Sequence, residues 1–370
     1  NLITRKAAGK RTSVTVGRGD NTLDQAGKIV QLSGMHSNRS EDSNFGYMFN
    51  FSFYDNWTGS DNVEAEWDDE GNIVEHDIRK YLVHRERKSL GLRFDYNLGN
   101  TELYTDLNYN DRDDYENRYR QRIKDLDEGE GSQEVRRQTK AGLPGNEYGR
   151  LEDQKLFSYK FGGTSLLDKL KLDYSFKISE ASELRPNERY LALRLKKQTA
   201  VWNQSTEKPN FTFTNAIAAD LNNSWDFRNL IEERRDTDEK AQSFKVDADY
   251  NFNDNLKLEA GLKISSRKKE RRNEFYEFEP VDEDAFLADA FSNIVSQDKS
   301  EWLNDGNGTS YNSGSYVSRE FLGNLDLSNT ELFERVIVEE ELAGNFKASE
   351  DITSFYGMAS YDYSDQLLVV

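Results

Sequence analysis

The chain of 370 residues carries 49 Lys and Arg against 68 Asp and Glu, and its formal net charge of -19 at pH 7 argues against nucleic acid as a partner, because phosphate binding needs a basic surface. It contains no cysteine, which excludes a disulfide framework and a thiolate metal site. It also lacks any run of about 18 apolar residues, which excludes a transmembrane helix.

Alternation of apolar and polar residues predicts β-strands along much of the chain. In chain order we expect strands over 11–18, 26–36, 44–55, 78–97, 101–111, 153–163, 168–179, 242–253, 255–267 and 352–363, weaker ones near 189–195 and 209–215, and one that starts at 366. Several have ten or more residues, whereas strands of soluble proteins average about five or six and membrane-spanning strands need about nine to eleven. Strand length therefore favours a sheet that spans a membrane.

The alternation assigns each strand an apolar and a polar face. Between Leu170 and Ser179 every second residue is apolar and the intervening residues are charged or Ser. The segments 244–252 and 256–264 repeat this pattern. In the strand over 44–55 we expect the apolar residues on the outer face and the others on the lumen side: Phe45, Tyr47, Phe49, Phe51 and Phe53 outside, and Met48, Asn50 and Ser52 inside.

The connections between predicted strands are of two kinds. Tight turns rich in Asn, Asp and Gly are predicted at 97–100, 253–255 and 363–366, whereas the links 56–77, 112–152, 180–241 and 268–351 are tens of residues long. Short turns on one side and long loops on the other are typical of outer-membrane β-barrels. We therefore predict an all-β antiparallel meander that forms part of a large transmembrane β-barrel.

Aromatic residues precede the three predicted tight turns, where an interfacial aromatic girdle would lie. They are Tyr96, Phe252 and Tyr363. The alternative is that they are ordinary aromatic residues of β-strands.

Helical spacing of apolar residues within 281–299 predicts a short amphipathic helix that packs on a loop. The residues are Phe286, Leu287, Ala290, Phe291, Ile294 and Val295. A structural role is favoured over a binding role.

The sequence offers no support for catalysis. Its three histidines, His36, His76 and His84, have no metal-like i, i+4 pairing, and no phosphate loop or Gly-x-Ser-x-Gly elbow occurs. Glu66 to Asp77 loosely resembles a calcium loop, but it starts with Glu, ends with Asp and has no flanking helices. A solvated hairpin tip that turns at residues 70–72 is the better interpretation. We expect no enzyme activity, no cofactor and no metal site.

Aromatic residues and arginines of the long links are the candidates for ligand binding. All five tryptophans, Trp57, Trp67, Trp202, Trp225 and Trp302, fall in these links, where they suit stacking on a sugar or a siderophore but equally suit packing inside large loops. The run from Asp113 to Arg120 adds Tyr and Arg side chains at the top of a strand. The predicted ligand-binding residues are Trp57, Trp67, Tyr115, Arg118, Tyr119 and Trp202.

Several short motifs give the chain a resemblance to a known family. The run from Asn1 to Lys6 is similar to the end of a plug domain, where a G-G-x-x-N-x-x-T-R/K stretch leads into the first barrel strand. Gly261-Leu262-Lys263, with the basic run over 267–269, and Tyr356 to Tyr361 are similar to barrel strands of the same family. On these motifs the chain resembles TonB-dependent outer-membrane receptors. The stretches 59–67, 111–120 and 183–190 resemble a subgroup of large receptors tied to carbohydrate-derived nutrients.

The resemblance implies a plugged barrel of about 22 strands in the bacterial cell outer membrane. Residues 1–8 would be the end of the plug and residues 9–370 the N-terminal part of the barrel. Because neither end of the chain resembles a natural terminus, we expect a piece of a longer protein whose sheet leaves an edge strand near 11–18 or 366–370 unpaired. The implied partners are the lipid bilayer, the TonB complex through a plug segment outside this chain, and a small nutrient such as an oligosaccharide or ferric siderophore. The alternatives are a passive porin and a surface-exposed β-rich binding protein.

Overall fold

The computed structural model describes residues 6–21, 27–297, 311, 314–364 and 367–369. The strands within these ranges are β1 (Arg11–Asp20), β2 (Lys28–Arg39), β3 (Phe45–Trp67), β4 (Ile73–Asn97), β5 (Thr101–Lys124), β6 (Gln133–Ala141), β7 (Arg150–Leu167), β8 (Leu170–Gln198), β9 (Ala200–Trp202), β10 (Phe211–Phe213), β11 (Asp226–Asn251), β12 (Leu256–Pro280), β13 (Ile294–Ser296), β14 (Ser315–Val317), β15 (Phe333–Ile337), β16 (Phe346–Ser364) and β17 (Leu367–Val369). The α-helices are α1 (Glu283–Ser292) and α2 (Arg319–Asn324). No helix in the described ranges has both the length and the apolar character needed to cross a membrane.

One large antiparallel sheet contains 13 of these strands. Its order is β1-β2-β3-β4-β5-β6-β8-β11-β12-β16-β17, while β7 lies between β5 and β8 and β15 pairs with β12. The lower part of β5, up to Glu116, pairs with β7, and the upper part, from Arg118, pairs with β6. Strands β6 and β7 therefore occupy one position in a meander. Two strand pairs, β9 with β10 and β13 with β14, lie outside it.

The two edges of the sheet agree with the expectation of an unpaired strand. Within the described residues, β1 pairs only with β2, and β17 pairs only with β16.

The predicted tight turns lie between the strands as expected. Strands β4 and β5 are joined over 98–100, where Gly99 has φ +83 and its N–H donates to the Asn97 side chain over 2.8 Å. Strands β11 and β12 are joined over 252–255, where the Asn253 side chain accepts from the Leu256 N–H over 2.8 Å. The third turn falls on residues 365–366, which lie outside the described residues.

The long links were predicted too long. Most of 56–77 belongs to β3 and β4, which leaves a tip of five residues over 68–72. Strands β5, β8, β11 and β12 likewise extend far into the predicted links, the weak strand near 189–195 is the upper part of β8, and β6 was not predicted. The upper strands were missed because both of their faces carry charged and aromatic side chains, so the apolar and polar alternation disappears there. The tip itself turns at residues 70–72 as predicted, with Asp68 accepting from the Asn72 N–H over 2.8 Å.

The ladder register confirms the separation of apolar from polar residues in β3. Residues directly opposite each other share a face, and the row through Tyr47 runs across Phe94, Thr105, Phe161, Phe176, Phe244 and Ile264. Rows on the other face contain Asn50, Gly91, Asn108, Ser158 and Ser179. We call these the apolar face and the polar face of the sheet.

The strands are staggered in one direction across the sheet. Phe45, the first residue of β3, continues through Tyr96, Leu103, Gly163, Tyr174 and Val246 to Leu262, which is six residues into β12. Six steps between strands therefore give an offset of six residues. Each residue adds about 3.3 Å along a strand, and neighbouring strands lie about 4.8 Å apart. If the short turns all lie in one plane, this offset means that the strands are tilted by about 35° from the normal to that plane.

The hydrophobic core lies where the apolar face continues beyond the tilted lower strands. Leu191, Leu230 and Phe278 occupy one ladder row there and are buried. Helix α1 begins after Asp282, whose side chain accepts from the Ala285 N–H, and it buries Phe286 and Ala290 in this core. The predicted helix is thus confirmed over Glu283–Ser292, although Ile294 and Val295 belong to β13.

Candidate functional site on the polar face

The polar face is concave. A cleft of about 600 Å³ is lined by side chains from seven strands of the sheet: Ser52, Ser89, Asn110, Gln154, Glu183, Thr237 and Lys269. In a flat sheet six steps between strands span about 29 Å, far more than the width of such a cleft. The sheet must therefore curl so that β3 and β12 approach each other across the polar face.

The segment before β1 lies on this polar face near the short turns. Arg39 donates from Nε to the carbonyl oxygen of Ala7 over 2.7 Å, and the Ser37 hydroxyl donates to that of Gly9 over 3.1 Å. Lys6 forms an ion pair with Glu102 at the start of β5. Because Ala7 is only 1% exposed, this segment is packed against the sheet rather than loosely attached.

Above the cleft the polar face carries a dense network of ion pairs. Arg85 and Arg112 both donate to Asp114, over 2.6 and 2.7 Å. Lys140 lies 2.8 Å from both Glu116 and Glu188. Burial alone would raise the pKa of Glu188, but the Lys140 ammonium, the Tyr190 hydroxyl and the Arg150 guanidinium together lower the pKa to about 2. Glu188 is therefore charged at neutral pH, and the face presents side chains of both charge types in close ion pairs.

Two of the predicted ligand-binding residues share one aromatic stack. Trp57 lies parallel to His84 at 4.0 Å between ring centroids, and Tyr115 stacks on His84 at 5.3 Å. The two ring nitrogens of His84 lie 2.9 Å from Asp55 and 3.2 Å from Glu147. This stack lies in β3, β4 and β5 rather than in long links, and the register places it on the apolar face above the aromatic rows.

Two others, Trp67 and Trp202, form a second cluster at the top of β3. Their rings meet edge to face at 6.2 Å, and Trp202 stacks with Phe211 at 6.4 Å. His76 joins the cluster at 5.3 Å from the Phe211 ring. The connection that carries β9 and β10 is therefore docked onto the sheet by aromatic contacts.

The last two, Arg118 and Tyr119, point to opposite faces of β5. Tyr119 is 4% exposed and packs against Tyr316 at 5.3 Å, whereas Arg118 lies on the polar face and donates to Gln138 over 2.7 Å. The six predicted residues thus lie in separate places and do not form one site. Of the remaining tryptophans, Trp225 is buried in the core and Trp302 lies outside the described residues.

The sequence analysis did not identify the polar face as a candidate binding surface. The signal was present in β5, where Arg118, Arg120 and Arg122 alternate with residues of the other face. It was overlooked because this segment was assigned to a loop.

Among the described residues, two clusters contain oxygen or nitrogen atoms close enough to share a cation. The ligand atoms within each group lie within 4.8 Å of one another: Asp55, His84 and Glu86 in one, and Asp111, Asp113 and Asp153 in the other. Burial and the neighbouring Asp111 and Asp153 raise the pKa of Asp113. The prediction of no metal site stays a prediction.

No family model, curated protein or solved structure matches this chain.

Proposed function

We propose that this chain forms part of the transmembrane β-barrel of an outer-membrane receptor of the TonB-dependent type, which takes up a scarce small nutrient such as an oligosaccharide or a ferric siderophore. The observation that carries the proposal is the unbroken apolar face across β3 to β12, opposite a concave polar face. A soluble sheet buries its apolar face in a core, whereas here Phe161, Phe176, Phe244 and Ile264 are 38–47% exposed.

The dimensions of the apolar face fit a bilayer. In β8 and β12 the apolar series run over nine residues each, Leu170 to Ile178 and Leu256 to Ile264. Nine residues at a tilt of about 35° span about 24 Å, close to the apolar band of about 25 Å on outer-membrane barrels. Tyr96 and Phe252, which are 46% and 54% exposed beside the short turns, suit the aromatic girdle at one edge of that band.

Two features of the polar face favour a receptor over a passive porin. The segment that contains Ala7 and Gly9 crosses this face, as the end of a plug would. The ion-pair network above the cleft also fills the space with fixed charges rather than leaving an open channel. Energy coupling through TonB rests on the resemblance alone.

The extended strands support capture of the solute outside the membrane. Strand β8 has 29 residues and β12 has 25, so each continues well beyond the nine residues that a bilayer requires. These extensions raise the walls of the concave face, and the cleft begins just beyond the apolar band. A polar solute bound there would be surrounded by Ser, Asn, Gln and charged side chains.

The test uses the full-length protein in cells. We expect the protein to stay in the membrane pellet after washes with high salt and carbonate, to require detergent for extraction, and to migrate faster on gels when unheated. Growth on a limiting oligosaccharide or ferric siderophore should need both this protein and an intact TonB. Release by the washes contradicts the membrane assignment. Detergent-dependent extraction with uptake that persists without TonB would instead favour the passive porin.

A further inference from the structure

A ring of basic side chains lies on the polar face above the cleft. It surrounds Gln138 and Ala192 in the ladders of β5, β6 and β8 and consists of Arg118, Lys140, Arg120, Arg122, Arg136 and Arg194. We call it the basic ring. Arg122, Arg136 and Arg194 occupy three successive positions directly opposite one another, an arrangement that is destabilising unless negative charge is supplied. Such clustering is the reverse of what a net charge of -19 leads one to expect.

Half of the basic ring is neutralised by the protein itself. Lys140 is paired with Glu116 and Glu188, as described above. Arg122 lies 2.8 Å from Asp77 and 2.7 Å from Glu75, and Arg136 pairs with Glu134. These three cations hold the ring together and have little capacity left for a ligand.

The other half has no comparable carboxylate partner among the described residues. Arg118 bonds to the neutral Gln138 and lies over the Tyr190 ring at 5.9 Å. Arg120 comes no closer than 4.0 Å to Asp77, and Arg194 forms no ion pair with any described residue. The Nε atoms of all three are buried and have no acceptor within the described ranges. Buried donors of this kind normally find a partner.

The local field around Arg120 is positive. Burial, together with the guanidinium groups of Arg118 and Arg122, lowers the pKa of Arg120 to about 10. A negative group placed between these side chains would relieve both the repulsion and the unmet hydrogen bonding.

We propose that Arg118, Arg120 and Arg194 of the basic ring bind an oxyanion of the transported solute, so that the solute is an acidic molecule carrying carboxylate or phosphate groups. This rests on the proposed function, since it names the class of solute for that receptor. Guanidinium groups present planar forks of N–H donors that match carboxylate and phosphate oxygens. The neighbouring Tyr190 offers an aromatic surface beside them.

The side of the basic ring that faces β8 is the one that accepts the oxyanion. On its opposite side a cleft of about 330 Å³ is lined by Glu64, Glu66 and Glu75 beside Arg79 and Arg122. Carboxylates there repel an anion and already occupy the two arginines. Gln138 and Ala192, between Arg120 and Arg194, add no negative charge, and Asp226, which lies opposite Arg194 in the ladder between β8 and β11, forms no ion pair with it.

The position of the basic ring suits a first contact. On β5, Arg118 lies eight residues beyond Asn110 of the main cleft, about 26 Å further from the short turns. A positive ring at this level draws an anion towards the concave face in spite of the negative charge of the whole chain. The Ser and Asn side chains around the main cleft then contact the uncharged parts of the solute.

The test measures binding to the detergent-solubilised full-length protein by calorimetry at low salt. The probes are tetragalacturonate for carboxylates, inositol hexakisphosphate for phosphates, and maltotetraose as a neutral oligosaccharide. We expect at least one anionic probe to bind with an affinity that falls as salt rises, and maltotetraose to bind at least about tenfold more weakly. The combined variant Arg118→Gln, Arg120→Gln and Arg194→Gln should weaken the anionic probe by about tenfold or more.

The matched control is Arg272→Gln, which removes one exposed arginine from the apolar-face side of β12 and should leave binding unchanged. Gel mobility of the unheated protein reports whether each variant folds. If the triple Gln variant does not fold, the triple Arg→Lys variant, which keeps the charges, is used in its place. With Lys we expect the salt dependence to persist at reduced affinity. Equal binding of all three probes, no binding of either anion, or full affinity in the folded triple variant would overturn the inference.

These outcomes are separable from failure of the proposed function. Membrane extraction and TonB-dependent growth test the receptor, whereas probe selectivity tests only the basic ring. A membrane-embedded, TonB-dependent protein that prefers maltotetraose would refute the acidic solute alone.

Discussion

His76, near the top of β4, donates a hydrogen bond from Nε2 to the carbonyl oxygen of Pro209, over 3.0 Å and across 133 residues of sequence. Its other ring nitrogen, Nδ1, is buried and has no hydrogen-bond partner among the residues that the structure describes. The imidazole is 1% exposed, and burial lowers its pKa to about 4. A second proton would therefore have to be placed on a buried nitrogen with nothing to receive its hydrogen bond.

We predict that the connection carrying β9 and β10 loosens as the pH falls. The pKa of His76 in the docked state lies below the ordinary value of 6.5, so His76 binds a proton when the connection is undocked that it does not bind when the connection is docked. Docking should be independent of this group above pH 6.5 and weaken as the pH falls towards 4, by roughly 3 kcal/mol in total. Amide hydrogen exchange of residues 199–215 at pH 7 and pH 5 measures this. His76→Gln keeps an N–H donor but does not titrate, so its exchange should respond less to pH; an identical response would contradict the prediction.

A second prediction concerns Arg137, which joins the sheet to two long connections, the one between β8 and β11 and the one between β12 and β16. It donates to the carbonyl oxygens of Ala219 over 2.7 Å and Ser315 over 2.9 Å, and it lies between the rings of Trp225 and Tyr316, at 5.6 and 5.2 Å. Arg137→Met keeps much of the side-chain volume but leaves two buried carbonyl groups without this donor, at about 1–3 kcal/mol each.

Limited proteolysis should then cut both connections faster, with the strands below unaffected. Arg335→Met, which removes an exposed arginine stacked on Tyr276 at 4.8 Å, is the control and should change little. Unchanged cleavage in the Arg137 variant would mean that the aromatic packing alone holds the connections.

The parts of the fold that the sequence predicted are those with one apolar and one polar face. The faces of residues such as Phe176 and Ser175 could be predicted because apolar and polar residues alternate regularly there. Further up, Arg189 and Leu191 lie on the same face of β8 as the packed connections, and Arg189 donates to the carbonyl oxygen of Leu325 over 2.9 Å. A strand that is covered by loops on one face and carries ion pairs on the other shows no regular alternation of apolar and polar residues, so the sequence predicts it weakly or not at all.

The candidate site was predictable in composition but not in geometry. Arg118 lies on the polar face, whereas Tyr119, which was predicted with it, lies on the other face, because neighbouring strand residues point to opposite faces. The cross-strand partners that place Arg194 beside Arg136 are 58 residues apart in the chain, and only the ladder register brings them together.

A third prediction tests the two faces directly. Phe176→Arg places a charge in the apolar row between Phe161 and Phe244, whereas Ser175→Arg places it on the polar face. In a bilayer the first should cost about 2–4 kcal/mol and the second much less. Refolding of the full-length protein into lipid vesicles, followed by denaturant titration, gives the two values. Equal losses would be incompatible with a lipid-facing apolar row.

The fourth prediction concerns capture of the solute by the aromatic residues and the arginine chosen from the sequence. Combined replacement of Trp57, Trp67, Tyr115, Arg118 and Trp202 by Ala should weaken uptake by about tenfold or more. We expect the loss to come from Arg118, whose guanidinium group lies on the polar face, because the four aromatic residues lie in two other clusters. Trp67 ends β3 and Trp202 lies in β9, outside the main sheet, whereas Trp57 and Tyr115 stack on His84 within β3 to β5. Uptake is therefore divided by the amount of folded protein in the membrane. Tyr119 is left out of the set because its side chain is buried, with 4% exposed. Tyr119→Ala should therefore reduce the amount of folded protein rather than the uptake per molecule. Tyr119→Phe, which preserves the ring against Tyr316, is its control. If uptake survives the combined replacement while removal of the TonB-contacting segment abolishes it, capture belongs to the plug and not to these residues.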